Sequence, residues 1–102
     1  MARIAYIVTA TLPDEATAER YVQWLRRGHL DAVIRSGADR GSISRLIEPA
    51  EPIRVQTRYT FPTRYMYDRY LQMYAPALRE EGMKLFGPES GVSFERVIAE
   101  IL

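Results

Sequence analysis

The one histidine of this 102-residue chain, His29, is the side chain best suited to moving a proton, because imidazole titrates near neutrality. It ends an apolar stripe of Ala18, Tyr21, Val22, Leu25 and His29, a helical spacing that turns the ring inward. The competing reading is structural, a ring hydrogen-bonded to free backbone at a helix break, and no carboxylate stands at a spacing that would orient it. Trp24 and seven tyrosines form the second feature, with Tyr65, Tyr67, Tyr70 and Tyr74 crowded together. Aromatic residues in a small domain mostly pack the core or a subunit contact. Tyr6, Trp24, Tyr59, Tyr70 and Phe86 are the ones placed to line a flat pocket, where hydroxyls orient a planar aromatic ligand. Arg45 and Arg58, on adjacent strand patterns, are candidates to hold a carboxylate or enolate between two guanidinium forks. Their alternative is structural ion pairing, with Glu95 and Glu100 as partners.

Other chemistries lack their residues. One histidine and no cysteine do not make a usual zinc site, and no carboxylate spacing suggests a hard-cation loop. The glycines stand apart, so no phosphate cradle forms, and the serines lack a nucleophile-elbow context. The expectation is therefore no metal and no cofactor, with haem ligation by His29 as a minor alternative whose test is the colour of the purified protein. Fourteen basic against 13 acidic residues, scattered without blocks, argue against a nucleic-acid partner or an acidic membrane surface. No apolar run approaches a membrane span. The absence of cysteine fits a reducing compartment, and the opening residues run straight into strand-like sequence, so a cytoplasmic location is expected.

The elements that must carry these residues follow from periodicity. Arg3 to Thr11 alternates Ile4, Tyr6, Val8 and Ala10 against Ala5, Ile7 and Thr9 and reads as the first strand. Leu12-Pro13-Asp14-Glu15 opens a helix, Gly28 weakens it, and Ser36-Gly37 ends it, so this helix is expected in two pieces. Residues 41–48 form a second strand, Pro49 to Pro52 a turn, and Ile53 to Phe61 a third strand. Thr63 is the expected cap of a second helix that Pro76 interrupts, with Ala77 to Phe86 as its second piece and a last strand from Val92 to Leu102. At this length the chain 1–102 is one domain.

This order is the α+β, ferredoxin-like βαββαβ pattern: a four-stranded antiparallel sheet with two broken helices on one face. The other face, carrying Ile7, Thr9, Val97, Ala99 and Ile101, needs a cover, and a second copy would close a dimeric α/β barrel. The chain resembles small bacterial proteins of a domain-of-unknown-function family within the dimeric α/β-barrel superfamily. The resemblance rests on Tyr6-Ile7-Val8-Thr9, Trp24-Leu25 with His29-Leu30, and Val33 to Gly37. In the second half it rests on Tyr59, Tyr70-Leu71, Ala75 to Glu81, Phe86-Gly87 and Arg96-Val97. It implies a homodimer and, from the wider superfamily, a cleft between helices and sheet used by cofactor-free monooxygenases, cyclases and isomerases. Two functions are thus expected: a small-molecule-binding protein or cofactor-independent enzyme acting on an aromatic or polyketide-like compound, or a non-enzymatic homodimeric scaffold without a pocket.

Overall fold

The computed structural model describes residues 2–102. The first strand, β1 (Arg3–Leu12), pairs antiparallel with two neighbours, β3 (Ile53–Phe61) and β4 (Ser93–Ile101). The second strand, β2 (Arg40–Leu46), adds to β3, giving one four-stranded sheet of order β2-β3-β1-β4. This is the expected ferredoxin-like arrangement, and the central strands β1 and β3 are the ones with the most buried positions. Strand ends move slightly from the sequence reading: β2 starts at Arg40 and ends at Leu46.

The first helix, α1 (Glu15–Trp24), begins at Asp14, whose carboxylate accepts from the Thr17 amide at 2.8 Å. That bond is the main reason its pKa lies below the ordinary carboxylate value. Pro13 therefore stands outside the cap instead of in the first turn. After Trp24 the chain passes through a wide π turn, Leu25–His29, and resumes as α2 (Leu30–Arg35). Gly37 adopts φ +131°, a left-handed stop open to glycine at no steric cost. Thr63 caps α3 (Arg64–Met73) by accepting from the Met66 amide at 3.2 Å, and α4 (Ala75–Phe86) starts anew with Pro76 in its first turn.

All four helices lie over one face of the sheet, and the alternation of β1 divides its side chains accordingly. Ile4, Tyr6, Val8, Ala10 and Leu12 are buried beneath the helices. The core has two parts. One gathers Tyr6, Val8, Val33, Tyr59, Phe61, Tyr67 and Tyr70; the other gathers Ala10, Tyr21, Leu25, Val55 and Phe86. Phe94 packs against both, so the seam between the two clusters runs under α1 and α4. On the opposite face Ile7 sits between Arg58 and Val97, and Val97 is 48% exposed, so this side of the sheet is open in the single chain.

Candidate functional site

The seam holds a cavity. Counting its mouth, it has about 520 Å³ of unfilled space, while the part that the centre of a water molecule can occupy is about 40 Å³, room for about three waters. The second figure describes the enclosed space; the first includes solvent at the entrance. Its floor is Tyr6 and Val8 of β1, Thr57 and Tyr59 of β3, and Phe94 and Arg96 of β4. Its roof is Tyr21 and Trp24 of α1, Leu25 and His29 of the π turn, Tyr70 of α3, and Leu78, Arg79, Gly82, Met83 and Phe86 of α4.

His29 reaches this wall because of the π turn. The Leu30 amide donates to the Leu25 carbonyl, an i→i+5 bond that widens the helix by one residue. Five positions apart, Trp24 and His29 then stack, with ring centroids 4.2 Å apart and planes 21° apart. An unbroken α-helix would have set these two rings on different faces. His29 Nδ1 is buried and has no hydrogen-bond partner. Burial, and secondarily the positive charge of Arg96, pushes the imidazole pKa down to about 4. The ring is neutral at neutral pH.

In the same lining, two guanidinium groups converge on one phenol. Arg79 donates to Tyr6 Oη at 3.1 Å and Arg96 Nε donates to the same oxygen at 3.2 Å. The Tyr6 oxygen is thereby an acceptor twice over, and its own hydrogen remains free to be donated. Arg96 also lies over the Phe94 ring at 5.4 Å. Buried Tyr59 Oη has no well-formed partner, with the Thr57 hydroxyl acting on its titration, and buried Arg79 Nε is also unpaired. Burial raises the pKa of the Tyr59 and Tyr70 phenols, and that of Tyr21 up to about 12, so all three stay protonated. Three cavity-lining residues thus carry a buried polar atom with no partner among the protein's own groups. A group entering the seam can supply what they lack.

Six of the expected site residues, Tyr6, Trp24, His29, Tyr59, Tyr70 and Phe86, meet around this one cavity. Arg45 and Arg58 do not. Arg45 stands opposite Val55 and so shares the helix-side face, whereas Arg58 stands opposite Ile7 and Ser42 on the open face. The two forks point to opposite sides of the sheet and cannot close on one carboxylate. Arg45 pairs with Glu15 on α1, in place of the anticipated Glu95 or Glu100. The basic groups of the site are Arg79 and Arg96, which the sequence reading did not select for it. Their signal was a charge breaking an apolar face: Arg96 alternates with Phe94 and Ile98, and Arg79 follows Ala75 and Leu78 and precedes Gly82 and Phe86. No group of three His, Cys, Asp or Glu able to hold a metal occurs among the described residues. Among them, too, no helix is long and apolar enough to cross a membrane.

With that geometry established, residues 3–101 match the family model described as "Domain of unknown function (DUF4286)". The chain belongs to this family. Its fold is similar to that of a dimeric ferredoxin-like protein from an uncultured marine organism, at TM-score 0.83 and 12% identity over 100% of this chain and 97% of that one. An "ethyl tert-butyl ether d (ethd) family" protein from Bacillus halodurans superposes at TM-score 0.76, with 11% identity and 100% of both chains covered. SnoaB, a cofactor-independent oxygenase from Streptomyces nogalater, does so at TM-score 0.71 and 13% identity, over 100% of this chain and 95% of that one. At such identities the likeness speaks to the fold. A search of curated proteins found no match to this DUF4286 chain.

Proposed function

We propose that this DUF4286 protein is a homodimer that binds a small, flat aromatic or polyketide-like compound in the seam and moves a proton on it with its own side chains. The observation that carries this reading is a neutral, unpartnered imidazole in the same cavity wall system as a phenol that already accepts from two guanidinium groups. His29 Nδ1 takes a proton from an acidic C–H or phenolic O–H of the ligand. The electron pair moves onto a ligand oxygen, which the Tyr6 hydroxyl and the Arg79 and Arg96 charges stabilise. Charge building on that oxygen also raises the proton affinity of the imidazole, which offsets its low pKa in the empty cavity. Return of the proton to a different carbon gives isomerisation or sets up cyclisation. In the monooxygenase variant the enolate carbon bonds to dioxygen and the O–O bond then breaks, leaving one oxygen as a new ligand carbonyl and the other as water formed with two hydrogens of the same ligand carbon; the fold shared with SnoaB supports it.

Against a scaffold whose aromatics serve only packing stands the grouping of three polar atoms without a protein partner, Nδ1 of His29, Oη of Tyr59 and Nε of Arg79, in the lining of one cavity. The homodimer reading is supported by the open sheet face of Ile7, Val97 and Ala99, and by dimeric neighbours of the same fold. It leaves the seam on the helix side, away from the partner.

The test is a thermal-shift screen of aromatic acids, hydroxyquinones and polyketides. Each hit is then incubated in deuterated water and followed by mass spectrometry. A ligand that binds only the folded chain must raise its melting temperature. The reading expects hits with deuterium uptake that His29→Phe abolishes while binding persists. Hits whose exchange ignores His29 would remove the catalytic role, and a screen without hits would remove the ligand.

A further inference from the structure

The mouth of the cavity is narrowed by a wall that has a second side. Trp24, His29 and Leu78 line the inner cavity and also an outer groove of about 350 Å³, whose remaining lining includes Arg27, Arg35 and Glu81. Arg27 lies in the π turn and Arg35 ends α2, and among the described residues neither makes an ion pair, nor does Glu81. Gly28 also lines this groove, and a Cβ built there meets nothing within 4 Å, so the space beside it would admit a side chain. The indole forming the wall is only half-buried. It rests edge-on against Gly82 of α4, where an added Cβ would lie 3.1 Å from Trp24 Cη2. A glycine inside a helix is unfavourable relative to alanine, and here it makes room for that ring.

We propose that this groove is a second subsite for the same ligand, holding a carboxylate carried on a short tail while the flat ring system occupies the seam. This rests on the seam being a ligand site and goes further by fixing the ligand class as an aromatic acid with its charge outside. The enclosed space admits about three waters, too little for a fused ring, so entry requires the wall to move. Trp24 and His29 are the rings that the cavity and the groove share; besides their stack, Trp24 packs on Tyr21, Phe86 and Gly82, so opening exchanges those contacts for contacts with the ligand. Arg27 and Arg35 supply two guanidinium forks against the single carboxylate of Glu81, so the groove favours an anion.

The experiment titrates the full-length protein with 4-(2-naphthyl)butanoic acid, its methyl ester and the matching primary amine. Binding is read by the fluorescence of Trp24, the only tryptophan. The acid is expected to bind about five- to ten-fold tighter than the ester. Arg27→Gln with Arg35→Gln should abolish that preference and leave ester affinity unchanged. Gly28→Leu, whose side chain enters open space, should weaken the acid selectively. Equal affinity for acid and ester, or tighter binding of the amine, overturns the subsite and leaves the seam reading intact. No binding of any of the three, with the ester included, counts against the seam itself and takes this inference with it.

Discussion

Replacing His29 by phenylalanine removes the imidazole while keeping a flat ring over Trp24, and it should change how stability depends on acidity. In the folded chain the His29 pKa is lowered to about 4 by burial first and by Arg96 second, whereas the free side chain titrates at 6.5. The unfolded state therefore binds more protons between these values, and stability contributed by the neutral ring is present above the unfolded pKa and lost as pH falls toward the folded one. The linkage relation makes this loss about 2.5 kcal/mol between about pH 7.5 and about pH 4.5, as an order of magnitude. The carboxylates with lowered pKa, Asp14, Glu15 and Asp39, lose stability over a lower range and do so in both proteins. Urea unfolding of the wild type and His29→Phe at both pH values isolates the histidine as the difference of differences. The wild type should lose about 2–3 kcal/mol more than the variant. Parallel loss in the two would mean the imidazole titrates as if solvated, and the buried, neutral base would have to be abandoned.

Three other perturbations probe separate parts of the structure. Tyr6→Phe deletes the oxygen shared by Arg79 and Arg96, so urea unfolding should show a loss of about 1–3 kcal/mol, with ligand affinity falling as well. Gly82→Ala gains up to about 1 kcal/mol of helix propensity but presses on Trp24, so its fluorescence should shift and the net stability gain should fall short of that value. Val97→Glu puts a charge on the open sheet face, and sedimentation should show monomers with an unchanged far-ultraviolet spectrum; a persisting dimer would place the contact elsewhere.

Local rules made most of the elements readable. The alternation of β3 and the Thr63 cap are written in neighbouring residues, and so is the restart at Pro76. The aromatic half of the site was legible for the same reason: positions of one parity in β1 and β3 face the helices, and Tyr6 and Tyr59 fall opposite each other. Arg45 and Arg58 failed because alternation gives parity within a strand, while their relation depends on the register between β2 and β3. The partner of His29 was hidden by the π turn, since a stripe drawn at 3.6 residues per turn connects His29 to Leu25 and not to Trp24. Arg79 and Arg96, 17 residues apart in sequence, meet over Tyr6, a closeness that only the packed α4 and β4 create.

The strict alternation along β1 gives neighbouring residues unrelated duties: Tyr6 and Val8 belong to the seam, Ile7 and Thr9 to the open side. Exchanges at even-numbered positions would thus act on the proposed ligand seam, and those at odd-numbered positions on the proposed contact between protomers. Length is another matter. One codon inserted after Ile4 would swap both sets wholesale, sending a phenol outward and an isoleucine inward, so lineages carrying this scaffold should tolerate replacements in β1 far better than indels.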